Sequence, residues 1–336
     1  MPPPAAYAKK GGRPKASTAQ PEAVAAIERI VEASTAGSPV EPAVRWTNRS
    51  PQEIAHQLRE EGHALCAETV RRILREELGL GRRQAVKSVT TCNYPHRDEQ
   101  FEYIAQLRDE HAFWGFPVLS IDTKQKELLG DFYRGGHAWT DGRVAVPDHD
   151  YRSRATGKLV PYGVYDVRAN EGLMLLTTSA DTPELACDAV RRWWHRLGCR
   201  RYSATSPLLL LCDCGGSNGY RQKLFKECVK ELAMRLGKTI RVAHYPPGCS
   251  KYNPIEHRMF CHVERSLRGV ILRSIDTAAR FISRTSTARG LRVVVEKARK
   301  VYHQARQAAA RFLEALPFFH DAQRPELNYY ATRYDY

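Results

Sequence analysis

The chain has 336 residues with 52 Lys and Arg against 37 Asp and Glu, a formal charge of +15. That length allows two or three domains, and the surplus favours a polyanionic partner, because each neutralised phosphate releases condensed counterions. No stretch reaches the roughly 18 apolar residues of a membrane-spanning helix and no apolar signal segment opens the chain, which excludes a membrane partner; nine cysteines without a Cys-x-x-Cys pair read as free thiols of a reducing cytoplasm.

Residues 1–20, rich in Pro, Ala, Gly and Lys, are expected to be a disordered basic tail. Residues 21–80 read as a helical helix-turn-helix region. Glu22 to Ala36 is amphipathic, with Val24, Ile27, Ile30 and Val31 on one face. Ser50-Pro-Gln-Glu53 combines an N-cap, a first-turn proline and a glutamate at the third helical position, opening a helix that stops at Gly62. A second helix from Ala67 to Leu78 turns Val70, Ile73, Leu74 and Leu78 inward and presents Arg71, Arg72 and Arg75 outward, the outline of a recognition helix on DNA. Residues 81–113 are a basic linker, where Arg82, Arg83 and Lys87 can follow a phosphate backbone, and a helix from Asp98 to Phe113.

Residues 114–268 contain three acids in a suggestive order. Asp122 ends the apolar run Pro117-Val-Leu-Ser-Ile121, and Asp213 ends Pro207-Leu-Leu-Leu-Leu-Cys212. Both runs have the pattern of strands buried on two faces. Glu256 lies in Asn253-Pro-Ile-Glu-His257, where Met259, Phe260, Val263 and Leu267 share its helical face. A carboxylate on a buried face needs a positive partner, and two strand carboxylates invite a divalent cation. Oxygen ligands suit Mg²⁺ or Mn²⁺, and a pair of such ions can clamp both oxygens of a phosphodiester cleavage. The alternatives are local: either Asp can cap a turn, and Asn253-x-x-Glu256 has capping-box spacing.

Lys124, two residues beyond Asp122, is placed to steady a phosphate or the acids. Between the Asp runs, Pro161 to Arg168 and Leu173 to Thr178 form a hairpin, and Asp181-Thr-Pro-Glu184 caps a helix to Leu197. Its Trp193-Trp194 pair reads as core, with base stacking the alternative. Ser217 or Asn218 is expected to cap the helix through Leu236, and Thr239 to Tyr245 forms a strand. Cys212, Cys214, Cys249 and Cys261-His262 match no common zinc spacing. Residues 269–336 contain Lys297, Arg299 and Lys300 in a strongly basic stretch that reads as a helical cover for duplex DNA.

Ser120-Ile-Asp-Thr-Lys124, Cys212-Asp-Cys-Gly-Gly-Ser-Asn-Gly-Tyr220 and His244 to His257 closely resemble the DDE transposases of the ISAzo-type insertion-sequence family. The resemblance implies an α/β fold: an RNase H-like mixed-sheet core, an all-α helix-turn-helix region before it and a basic helical region after it. It also implies that Asp122, Asp213 and Glu256 are catalytic metal ligands for two Mg²⁺ or Mn²⁺ ions, and that transposon-end and target double-stranded DNA are the partners, bound by a homo-oligomer. The implied activity is hydrolysis at the transposon end followed by joining of the 3′-hydroxyl to target DNA, in a prokaryotic cytoplasm on the nucleoid. The alternatives are an RNase H-like nuclease without strand transfer and a silent DNA-binding remnant acting as repressor.

Overall fold

A computed structural model describes residues 18, 20–33, 35–37, 45–47, 49–82, 94–137, 141–148, 150–304, 306–309 and 318–333. The chain divides into two compact units, Met1–Ser88 and Val89–Tyr336. Most of the expected tail, together with Arg83 and Lys87, lies outside the described residues.

Helices α1 (Pro21–Ala33), α2 (Pro51–Glu60) and α3 (Ala67–Glu76) build the first unit, with a small antiparallel pair, β1 (Thr35–Gly37) and β2 (Arg45–Thr47), between α1 and α2. The capping box that opens α2 is formed: the Glu53 N–H donates to Ser50 Oγ at 3.2 Å, and the Ser50 N–H donates to Glu53 Oε2 at 2.6 Å. Gly62, at φ 88°, turns the chain where a side chain would be strained. Ala23, Ile27 and Ile30 of α1 pack against Ile54 and Leu58 of α2 and Val70 and Ile73 of α3. That burial is what holds helices this short.

The second unit begins with α4 (Arg97–Phe113) and is organised on a nine-stranded sheet. Its strands are β3 (Val118–Thr123), β4 (Glu127–Leu129), β5 (Gly157–Asp166), β6 (Glu171–Thr177), β7 (Leu208–Cys212), β8 (Ile240–His244), β9 (Arg292–Lys297), β10 (Phe318–His320) and β11 (Asn328–Ala331). The order is β10-β11-β8-β7-β3-β5-β6-β9, with β4 on β5. β3, β7 and β8 are parallel, β5 is antiparallel to β3 and forms the expected hairpin with β6, and Asn170 takes the turn at φ 52°. This is the expected RNase H-like mixed sheet.

Alternation assigns the two faces. Leu208, Leu210 and Cys212 of β7 join α5 (Pro183–Arg196) and α6 (Lys223–Leu236) in one core, with Trp193 and Phe225 at its centre. Leu209 and Leu211 face α4 through Ile104 and Leu107. Both Trp193 and Trp194 are buried, so core packing, and not base stacking, is their role. Helix α6 starts later than expected: Ser217 and Asn218 sit buried in a short turn before it, and Gln222 precedes its first residue without a side-chain cap.

Among the described residues of the expected helical C-terminal region, Ile275–Ile282 is helical and the other regular elements are strands. After α8 (Ile275–Ile282), Arg292–Lys297 forms β9, parallel to β6, and residues 318–320 and 328–331 add β10 and β11 beyond β8. Val293-Val-Val295 supplies three β-branched side chains in a row, and branching at Cβ favours the extended backbone. The expected boundary after residue 268 therefore falls inside the second unit. Among the described residues no helix is long and apolar enough to cross a membrane.

Candidate active site

Strand parity brings Asp122 into the site. Leu119 and Ile121 join the α5/α6 core, so Ser120 and Asp122 point to the opposite face. Ser120 pairs with Leu211 across parallel β3 and β7, and Asp213, just past the end of β7, lies near enough for its charge to act on Asp122. Both acids leave the carboxyl-terminal edge of adjacent parallel strands, where α/β sheets form their ligand crevice.

Glu256 reaches this face through polar ties to β3. Ser120 Oγ donates to Asn253 Oδ1, the Asn253 amide donates to the Ile121 carbonyl at 3.3 Å, and the Ile255 N–H donates to Ser120 Oγ at 2.9 Å. The helical run then opens with a π turn, Glu256–Phe260, and continues as α7 (Cys261–Leu267). Such turns are frequent at functional sites. Met259, Phe260, Val263 and Leu267 are buried as their spacing required. The capping box does not form, because Asn253 directs its side chain into β3 and meets Glu256 only through its backbone carbonyl. Gly163 of β5, opposite Asp122 in the ladder, makes the close approach possible. A Cβ there would lie 2.5 Å from Phe260 Cε1 and 2.8 Å from Ile255 Cδ1.

Burial pushes the Asp122 carboxyl above the ordinary carboxylate range, and the charges of Asp213, Glu256 and Asp181 push in the same direction against a hydrogen bond from the Thr123 N–H. Asp213 is raised by burial and by Glu256 and Asp181, opposed by the Gly215 N–H. The three acids thus share one electrostatic field. Among the described residues no three His, Cys, Asp or Glu side chains close on one point as a metal site, which also removes the zinc reading. The donor set nonetheless fits a hard cation: it is all oxygen, and Asp213 Oδ1 is buried with no hydrogen-bond partner. Asp181, absent from the expected set, accepts from Thr123 Oγ1 at 3.0 Å and pairs with Lys126 at 2.9 Å.

Glu256→Gln separates local structure from chemistry. No cap is lost, so the variant should melt like the unsubstituted chain in metal-free buffer and bind DNA normally, while cleavage of an end duplex disappears. Cleavage near the normal rate would make Glu256 a bystander.

The basic residues divide into three groups. Arg71, Arg72 and Arg75 are exposed on α3 opposite Val70 and Ile73, Arg71 being paired with Glu68, and Arg82 is also exposed. Lys297, Arg299 and Lys300 are exposed beside β9, where Lys297 pairs with Asp276 and Lys300 lies 5.4 Å from the Tyr302 ring centroid. Lys124 is corrected: it is buried and paired with Glu127 and Glu264, with Arg134 on the same carboxylates. Its ammonium is neutralised inside the unit and does not face a phosphate.

His244, at the end of β8, was not singled out by spacing. Its ring is fully buried, with Nδ1 2.8 Å from the Asp213 carbonyl and Nε2 3.0 Å from the Tyr329 hydroxyl. Burial lowers its pKa to about 4, so the ring is neutral.

Asp122 and Asp213 on adjacent parallel strands, with Glu256 on a helix tied to the first strand, make one acidic site at the carboxyl edge of the sheet. The chain belongs to the family described as Rhodopirellula transposase DDE domain, matched over residues 26–332. Solved structures with similarity include the Mos1 transposase paired-end complex with left transposon end (13% identity, TM-score 0.41, covering 82% of this chain and 73% of that one). The Mos1 strand transfer complex is 14% identical at TM-score 0.40, covering 82% and 72%. At these scores neither likeness adds to the geometry. Comparison with curated proteins gives no match.

Proposed function

We propose that the chain is a metal-dependent transposase that hydrolyses a phosphodiester at the transposon end and joins the freed 3′-hydroxyl to target DNA. What supports the reading is the seat of Glu256: ties from Asn253 and Ile255 anchor the start of its helix to the strand that bears Asp122, and the Glu256 charge is felt by both Asp122 and Asp213. Burial together with neighbouring negative charge raises the Asp122 and Asp213 carboxyls, an arrangement that charge alone disfavours.

Asp122, Asp213 and Glu256 would hold two Mg²⁺ or Mn²⁺ ions. When bound, such ions lower the pKa of the attacking water or hydroxyl and neutralise the departing oxyanion. The chain's own part is positional. β3 and β7 carry the two aspartates to one sheet edge, and the turn that bears Glu256 is anchored by the apolar packing of Met259 and Phe260. Arg71, Arg72 and Arg75 would read end DNA, and Arg82, Arg83, Lys87, Lys297, Arg299 and Lys300 would bear on phosphates without reading sequence. Joining two ends calls for at least two copies on DNA in the cytoplasm.

The test is a labelled end duplex incubated with and without Mg²⁺. Nicked ends and joined products should appear only with the ion; nicking without joining would support a nuclease, and DNA binding with neither product a silent remnant. In the same assay, Arg71→Ala with Arg72→Ala should weaken end binding far more than random-DNA binding. Neutralising Lys297, Arg299 and Lys300 should weaken both and flatten the salt dependence. Equal losses on both duplexes for the Arg71/Arg72 change would remove α3 from sequence reading.

A further inference from the structure

We propose that His244 is a positioning residue for the Asp213 carboxylate, set in its working orientation by Tyr329 of β11; the inference rests on the metal-binding reading of Asp213. The β7–β8 ladder ends where the Tyr245 N–H donates to the Cys212 carbonyl at 2.8 Å. One residue further the backbone of Asp213 has left the sheet, and its carbonyl is met instead by a side chain of the neighbouring strand. A carbonyl oxygen only accepts, so His244 Nδ1 carries the hydrogen of the 2.8 Å bond. Nε2 is then bare and accepts from the Tyr329 hydroxyl at 3.0 Å. Hydrogen bonding at the far nitrogen fixes which nitrogen faces Asp213, the device by which outer partners orient a ligand.

The histidine has little freedom to do otherwise. Its N–H donates to the Leu327 carbonyl at 3.0 Å, and its own carbonyl accepts from Gln100 Nε2 at 2.9 Å. Gln100 and Asn328 exchange bonds at 2.8 and 2.9 Å, all buried. Leu327, just before β11, and Gln100 of α4, itself bonded to Asn328 of β11, therefore hold His244 on both sides of the peptide, and Tyr329 of β11 holds the ring.

The consequence falls on one torsion. Anchoring the Asp213 carbonyl fixes the peptide plane that follows it, and with it the path to Gly215, whose N–H holds the carboxylate. Asp213 Oδ1 has no partner, so the direction of this carboxylate depends on that backbone. Nothing in this arrangement requires His244 to touch DNA or an ion.

The test compares side chains that keep or lose the Nδ1 donor. An Asn amide occupies the Nδ1 position of a histidine, whereas a Gln amide reaches the Nε2 position. His244→Gln should weaken Mn²⁺ binding to the DNA-free full chain, read by calorimetry, by about tenfold to a hundredfold. His244→Asn should retain affinity within a few fold, and Tyr329→Phe, which removes a single oxygen, should lose less than His244→Gln. Affinity for an end duplex without metal and the metal-free melting temperature show that each variant is folded; if His244→Gln does not fold, Tyr329→Phe carries the comparison, and unchanged Mn²⁺ affinity there overturns the proposal. Equal losses for Asn and Gln also overturn it, since a purely structural role would not distinguish them. Mn²⁺ affinity that responds to Asp213→Asn but not to His244→Gln overturns the positioning role alone. Mn²⁺ affinity indifferent to Asp213→Asn overturns the metal reading and this inference with it.

Discussion

Asp122→Asn and Asp213→Asn are each expected to slow nicking of a labelled transposon-end duplex by about a thousandfold or more. Metal-assisted charge stabilisation is worth several kcal/mol, and about 4 kcal/mol corresponds to a factor of roughly a thousand at 1.36 kcal/mol per decade. The double variant should be little slower than either single one, because groups that act as a unit are strongly non-additive. End-duplex affinity should hold, since Arg71, Arg72 and Arg75 belong to the other unit. Losses that multiply in the double variant would mean that Asp122 and Asp213 serve two independent sites.

The second large effect is thermal. A ligand that binds only the folded chain adds RT ln(1 + [L]/Kd), about 2.7 kcal/mol at a hundredfold excess, and a unit of this size gains roughly 2–4 °C per kcal/mol. Mn²⁺ should therefore raise the melting temperature by several degrees, and Asp122→Asn, Asp213→Asn and the pair should each lose most of the gain. The effect should depend on pH with a defined sign. Both carboxyls titrate above their ordinary range when folded, so the stability that protonation confers is full below the unfolded value, near pH 4, and is lost as pH rises through the raised folded values. Without metal the chain should soften from about pH 4 toward neutrality, and the Mn²⁺ shift should be larger near pH 8 than near pH 5.5, where protons compete for the same oxygens. A shift that is flat with pH and survives both asparagine variants would place the ion elsewhere.

The two aspartate strands were readable because a short proline-bounded apolar run has the pattern of a strand buried on both faces. The hairpin and the Ser50 capping box were readable for the same local reason. The basic C-terminal section misled because charge was counted before shape: Val293-Val-Val295 spelled a strand, but the basic stretch holding Lys297, Arg299 and Lys300 suggested a DNA-facing helix. Lys124 failed differently. Parity placed it correctly on the face of Asp122, and only the fold shows Glu127 and Glu264 already occupying it. Asn253-x-x-Glu256 had two local meanings, and the choice was made by Ser120, more than a hundred residues earlier, which no window along the chain contains. β11 and its grip on His244 are likewise a product of tertiary pairing.

Order of synthesis gives that grip another meaning. A ribosome has made α3 and all three acids well before it reaches Asn328–Ala331. A chain that ended after the Glu256 helix would carry all three acids but lack the Tyr329 contact to His244 and would leave β8 as an uncovered sheet edge, and such an edge recruits foreign strands. Pairing with β11 thus closes the open edge of β8 by the same contact that brings Tyr329 to His244.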